Sequence, residues 1–238
     1  MTPNPDACMM SDNRTFTFYF AGELFSHKHL LGNACLAREI YRESQGKFVA
    51  ILPQDLESRD QHPQSIRDQD ILGLLRCDLG LFNYDGPELD SGTVVEFMFA
   101  KFADIPAVLL RTDFRYGGDQ KGDPWNLMNS FYPRTEVVVT PSMPLAKTRS
   151  FQDLLHDHSN VMDTGFNVKA QKVALAEIAR KTIAAMENVL MQAPVLEGKD
   201  VEAIYRYLAK MPGFRRNPEE VVPIIERALH RKMAKGLL

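Results

Sequence analysis

Short apolar runs alternate with stretches whose apolar residues recur at helical spacing, and this rhythm organises the first 140 residues of the chain. Thr15 to Ala21 (TFTFYFA) is aromatic and β-branched, stops at Gly22, and gives way to HKHLLGNACLAREIYRES, which carries its apolar residues on one helical face. The pattern repeats as KFVAILP then PQSIRDQDILGLLR, as DLGLFNY then SGTVVEFMFAKFA, and as PAVLLRT before a long polar loop; it closes with TEVVVT. Strands that are apolar throughout, rather than at alternate positions, have no face in water, which is the signature of a parallel sheet covered by helices on both sides. The expectation is an α/β fold with a doubly wound, five-stranded parallel sheet.

Beyond about residue 150 the strands cease. QKVALAEIARKTIAAMENVLMQA, EGKDVEAIYRYLAK and NPEEVVPIIERALHRKMAKG are helical patterns, the last opened by Asn217-Pro218 with two glutamates behind it. The expected organisation is a loose tail over residues 1–14, an α/β domain over 15–149 and a helical C-terminal extension over 150–238. That extension would cover the core or a neighbouring subunit, as part of the domain or as a separable subdomain.

Charge and cysteine content narrow the function. With 28 Lys+Arg against 31 Asp+Glu, a net charge of -3 leaves no electrostatic footprint for nucleic acid or for an anionic membrane surface. No run approaches the ~20 apolar residues of a membrane span, and MTPNPDACMMSDNR lacks the apolar centre of a secretion signal. Cys8, Cys35 and Cys77 make neither a metal spacing nor a disulfide framework, which fits a reducing cytoplasm. His27 and His29, and His156 and His158, are weak as metal signals on their own, so neither a metal nor another cofactor is expected. A small, weakly charged ligand is the simplest partner.

In a doubly wound sheet the ligand sits outside the carboxyl ends of the strands. That is where NYDGPELDSGTVVEF places Asp85, Asp90 and Glu96, with Asp70 on the preceding helical stretch. Two readings compete. In the structural one, Thr93-Val94-Val95-Glu96 is a capping box, Asp90 a helix cap, Asp85-Gly86 a turn and Asp70 a solvated helix residue. In the functional one, Glu96 faces a sugar with Asp90 and Asp70 beside it. Paired carboxylates cleave glycosidic bonds, one at the anomeric carbon and one managing the leaving group's proton, and mutual repulsion would keep one of them protonated.

These residues carry a resemblance. YFAGELF at 19–25, Asp70, DGPELDSGTVVEFMFA from Asp85 through Glu96, and Asn126-Leu127-Met128 resemble the nucleoside 2-deoxyribosyltransferases over roughly residues 16–140. The resemblance implies a flavodoxin-like sheet and exchange of the base on a 2'-deoxynucleoside through a covalent sugar-enzyme intermediate, with nucleosides and free nucleobases as partners. Carried over by position, Glu96 is the nucleophile, Asp70 the acid at the base, Asp90 the residue holding sugar hydroxyls, and Tyr19 the phenol that orients Glu96. Asn126 and Met128 match residues that reach into a neighbouring subunit's pocket, which implies a homo-oligomer with shared active sites. Their alternatives are a helix cap for Asn126 and a core contact for Met128.

Gln54 matches a base-contacting position or is a surface glutamine. Gly22, Phe25 and Asp85 fall in the matching motifs as candidate substrate-binding residues, though Phe25, Phe20 and Trp125 could equally fill core space. Glu23 departs from the family, where proline is common, and the C-terminal helices lie outside the resemblance. Hydrolysis of the N-glycosidic bond is the neighbouring chemistry, with Ser26 and Lys28 as possible phosphate contacts for nucleotide substrates. A non-catalytic nucleotide-binding module is the remaining alternative.

Overall fold

In the computed structural model of the chain, residues 15–56, 62–115, 117–119, 121–142 and 165–238 are described, with side chains of the last segment from residue 172 onward. The expected tail over 1–14, and His156 and His158, lie outside the described residues.

The apolar runs form β1 (Phe16–Ala21), β2 (Phe48–Ile51), β3 (Leu79–Asn83), β4 (Ala107–Arg111) and β5 (Thr135–Val139), all parallel and in the order β2-β1-β3-β4-β5. This is the flavodoxin-like order, and its direction of winding reverses between β1 and β3. Between the strands run α1 (His27–Glu43), the single turn α2 (Pro53–Leu56), α3 (Pro63–Arg76) and α4 (Ser91–Phe102). A 3-10 turn (Leu127–Asn129) precedes β5; α5 (Gly165–Leu190), α6 (Gly198–Ala209) and α7 (Pro218–Ala234) follow it.

The two-residue period of a strand sends neighbouring side chains to opposite faces. Phe18 and Phe20 of β1 therefore join α1 and α5 in one core, with Leu36 and Ile40 from α1 and Ile178 and Met186 from α5. Tyr19 and Ala21 join the other core, with Leu74 of α3, Phe97 of α4, Tyr205 of α6 and Ile225 of α7. Burying such a large apolar side chain contributes about 1.5–3 kcal/mol, so each face needs its cover of helices. The C-terminal helices supply part of that cover on both sides: α5 packs on α1, β4 and β5, and α7 packs on α3.

Two buried charge clusters tie these helices down. Asp104 and Arg134, whose side chains are 6% and 2% exposed, pair at 3.1 Å. Asp104 Oδ2 also accepts from the amides of Val195 (2.6 Å) and Leu196 (2.9 Å), while Arg134 donates to the carbonyl of Leu237 at 2.8 Å. At the amino edge of β1, the buried Asp78 accepts from the Thr17 amide (2.8 Å) and from Lys235 Nζ (2.8 Å). Removing one member of such a pair leaves a charge stranded in low dielectric. Asp104→Ala should therefore cost about 3–5 kcal/mol, measured as a lower urea midpoint at unchanged slope; a loss under about 1 kcal/mol, the scale of an exposed pair, would show that the pair does not hold these segments together.

Candidate active site

The site is built where β3 ends. Asp85 turns back toward β4, its Oδ1 accepting from the amides of Thr112 (2.6 Å) and Asp113 (2.8 Å) and its Oδ2 from the Thr112 hydroxyl (2.7 Å). Gly86 follows at φ +112°, a conformation other residues adopt only with strain, and a Cβ there would sit 3.1 Å from the Glu88 carbonyl. Arg111, buried at the end of β4, donates to the carbonyls of Tyr84 (2.5 Å) and Gly86 (2.9 Å). Asp113 is itself held well below the usual carboxylate range by its bond from the Arg115 guanidinium. The loop that launches α4 is thus fixed by β4, and Asp85 serves as its staple.

Asp90 is the N-cap of α4: its Oδ2 accepts from the Thr93 amide and hydroxyl, both at 2.8 Å. This decides between the two caps open in the sequence. Because the helix starts at Ser91 with Asp90 as its cap, Thr93 is the third helical residue and not the N-cap, so it forms no capping box with Glu96. Glu96 instead accepts a 2.6 Å hydrogen bond from the hydroxyl of Tyr19, fully buried on β1.

Burial pushes the Glu96 carboxyl up to about 7, with Asp70 and Asp90 pushing the same way, while the Tyr19 bond pulls it down. The Tyr19 phenol is raised well above its ordinary value by burial and by the charges of Glu96 and Asp70. Tyr19, Asp70, Asp90 and Glu96 therefore share one electrostatic environment, drawn from β1, α3 and α4. A carboxylate that ionises near neutrality, held by a phenol and flanked by two acids, can act as a nucleophile or a base beside a proton donor.

The remaining expected residues are placed as follows. Gln54, on α2, donates from Nε2 to the Leu30 carbonyl at 3.3 Å, and its buried Oε1 makes no hydrogen bond. Gly22 is buried at the end of β1, where a Cβ would lie 3.2 Å from the Asn83 Cβ, so β1 and β3 come together closely at the switch point. Phe25 is 78% exposed and fills no core space. Asn126 caps the 3-10 turn, accepting from the Met128 amide at 2.9 Å and donating to Asp119 at 3.2 Å. Met128 is 74% exposed rather than a core contact, while Trp125 is buried against Tyr84. Asn126 and Trp125 line a cleft of about 250 Å³ with Arg111 and Asn129.

Glu23 faces α1, its Oε2 lying 3.1 Å from His29 Nε2. It lines a larger cleft of about 540 Å³ that also takes in Lys28, Asn33 and Asn83. Among the described residues no group of three or more His, Cys, Asp or Glu side chains could hold a metal ion, and no helix is long and apolar enough to cross a membrane. Sequence reasoning passed over Arg111 and Asn33; the only local signal for Arg111 is a charged residue closing an apolar strand, AVLLR.

Residues 18–128, a little under half of the chain, match the family model described as Nucleoside 2-deoxyribosyltransferase, and over that stretch the resemblance carried by the motifs holds. Two solved structures are similar. One is a conserved protein from Enterococcus faecalis V583, with 19% identity over 73% of this chain and 98% of that one, at a TM-score of 0.39. The other is a 2-desoxiribosyltransferase from Leishmania mexicana, with 22% identity over 51% of this chain and 89% of that one, at a TM-score of 0.41. At these scores neither structural likeness bears on activity. A comparison with curated proteins finds no match.

The raised Glu96 carboxyl has a stability consequence. In the unfolded chain it ionises near 4.5, in the folded protein near 7, so folding takes up a proton between those values and stability falls as pH rises through them. The penalty is absent below about 4.5 and complete above about 7. Glu96→Gln should thus be more stable than the native protein by roughly 1–3 kcal/mol at pH 8 and indistinguishable near pH 4, by urea unfolding. Equal stability at pH 8 would mean that Glu96 is well solvated.

Proposed function

We propose that this chain, with residues 18–128 matching the nucleoside 2-deoxyribosyltransferase model, transfers a 2-deoxyribosyl group between nucleobases in nucleoside salvage, by a retaining double displacement at Glu96. The observation that carries this reading is the 2.6 Å bond from Tyr19 to Glu96. A glutamate needed only to cap a helix would turn to its own backbone; this one is half-buried at the carboxyl edge of the sheet and aimed by a phenol on another element.

The Glu96 carboxylate attacks C1' while the bond from C1' to the base nitrogen breaks, and Asp70 delivers a proton to the departing base. A second base then attacks C1' of the Glu96 ester through its own nitrogen, passes its proton to Asp70, and releases Glu96 as carboxylate. Two inversions give net retention. Asp90 takes both Thr93 bonds on Oδ2, which leaves Oδ1 for the sugar hydroxyls. Gln54 Oε1, buried without a hydrogen bond, is suited to a donor on the base.

The transfer chemistry belongs to residues 15–149. Exposed Leu127, Met128 and Phe131, next to Asn126, support a homo-oligomer in which this turn completes a neighbour's pocket. A cytoplasmic setting fits Cys35 and Cys77, both free thiols, with Cys77 pushed up to about 12 by burial and hence inert.

Incubation of the protein with 2'-deoxyinosine, with and without adenine, tests the reading. Deoxyadenosine formed only with adenine is the expected result, whereas hypoxanthine and free deoxyribose without it would mean hydrolysis. No product across deoxy- and ribonucleosides would leave a binding module. Glu96→Ala should abolish turnover in a folded protein.

Reaction requires Glu96 ionised, so on the acid side kcat/KM should climb about tenfold per pH unit toward about 7. Since the Tyr19 bond lowers the Glu96 value, Tyr19→Phe should move this acid limb to higher pH; an unmoved limb would separate Tyr19 from the nucleophile. Asn126→Ala should raise KM for the nucleoside, and unchanged kinetics would remove it from the site.

A further inference from the structure

We propose that the helix pair α6–α7, which lies beyond the stretch matched by the family model, sets the spacing of Asp70 and Glu96 by gripping α3 and α4 separately, with Asp68 and Tyr205 as positioning residues. The proposal rests on the reading of Asp70 and Glu96 as the reacting pair.

α3 is held at both ends. In its first half the side chain of Asp68, 2% exposed, accepts from the Arg215 amide at 2.7 Å through Oδ2 and from the Arg67 guanidinium at 2.5 Å through Oδ1. The same α6–α7 loop is tied to α3 by Gln64 Nε2 donating to the Gly213 carbonyl (2.8 Å), by Arg67 donating to that carbonyl, and by Arg215 Nη1 donating to Ser65 Oγ (2.8 Å). At its far end, the Leu75 carbonyl accepts from Lys232 Nζ at 2.6 Å and the Arg76 carbonyl from the Arg231 guanidinium, both from α7. Cationic side chains on the last carbonyls of a helix replace the partners those carbonyls lack.

α4 is held by a different element. The Ala103 carbonyl, at the C-cap of α4, accepts from the Tyr205 hydroxyl of α6 at 3.1 Å. Asp104, the next residue, accepts from the amides of Val195 and Leu196 leading into α6. The helices that carry Asp70 and Glu96 are thus anchored to one C-terminal unit, whose own helices pack together.

Helix geometry makes Asp68 a lever on Asp70. At about 100° per residue, positions two apart point to nearly opposite sides, so Asp68 can face the clamp while Asp70 faces the site. A shift of α3 by about 1 Å is enough to cost about a hundredfold in rate when two reacting groups must meet.

The test uses full-length protein, comparing Asp68→Ala, Asp68→Asn and Tyr205→Phe, each checked for folding by near-ultraviolet circular dichroism. Asp68→Asn loses the charge but keeps an acceptor for the Arg215 amide; Tyr205→Phe changes no charge at the site and keeps the ring packed. Carbon-13 NMR of the carboxyls follows the titration of Glu96, which faces Tyr19, Asp70 and Asp90.

Because Asp70 holds Glu96 up, a displaced α3 should lower the Glu96 midpoint in Asp68→Ala below that of Asp68→Asn, and a displaced α4, which moves Glu96 relative to both Asp70 and the Tyr19 hydroxyl, should shift the midpoint in Tyr205→Phe. With a deoxynucleoside, kcat should fall about tenfold in Asp68→Ala and Tyr205→Phe at nearly unchanged KM, and Asp68→Asn should recover most of it. Folded Asp68→Ala and Tyr205→Phe proteins with native titrations would overturn the proposal; should Asp68→Ala fail to fold, Tyr205→Phe decides alone. If the native protein turns over no nucleoside, the transfer reading fails by itself, and the titrations still decide whether the helix pair positions the carboxyls.

Discussion

A parallel sheet has no face it can leave in water, and that constraint shapes the whole molecule. Each strand of the central β1–β3–β4 group buries side chains on both sides, so helices must arrive on both sides. The connections between the strands supply α1 on one face and α3 and α4 on the other. Three further helices complete the cover, α5 beside α1 and the α6–α7 pair against α3 and α4. What looks from the strand pattern like an appendage therefore shares both hydrophobic cores with the sheet.

The site exploits the same constraint. Tyr19 points into the apolar layer because its place in β1 requires it, and its hydroxyl must then find a partner there. Glu96 is that partner, and the match is mutual: the phenol spares a half-buried carboxylate from being left without a donor, and the carboxylate gives the phenol an acceptor. The arrangement still holds an acid in surroundings that resist its ionisation. Stability is given up at Glu96, the carboxylate proposed as the nucleophile, as strained or costly groups tend to be concentrated in functional sites.

Local pattern carried most of the fold. The expected start and end of α3, Pro63 and Arg76, agree with those observed, and the strands differ from their apolar runs by one or two residues at the ends. The site was legible where its residues sit close in sequence, as Asp85, Asp90 and Glu96 do. It was ambiguous where the deciding partner lies far away. Asp90 and Thr93 are both good caps, and the choice shows in where Glu96 turns, to a tyrosine 77 residues earlier. Asp68 sits in the polar string IRDQD, which reads as solvated; it is buried because Arg215, 147 residues later, is folded over it. Glu23, just past the end of β1, meets His29 because α1 carries the imidazole back against it. No spacing rule reports a contact of that kind.

The hydrogen bond from Tyr205 to Ala103 joins residues 102 positions apart, and this separation has a temporal side. At roughly 5–20 residues per second, a ribosome delivers α4 about 5–20 s before the helix that will cap it. For that interval the apolar faces of α3 and α4 lack their cover, in a nascent chain that starts with three of the sheet's strands and gains β4 and β5 before the pair arrives. Folding of the half that holds the carboxyls is therefore coupled to the late arrival of the C-terminal pair. The exposed intermediate is a natural client for chaperones, and a chain released before α6 and α7 would present the same sticky surface permanently.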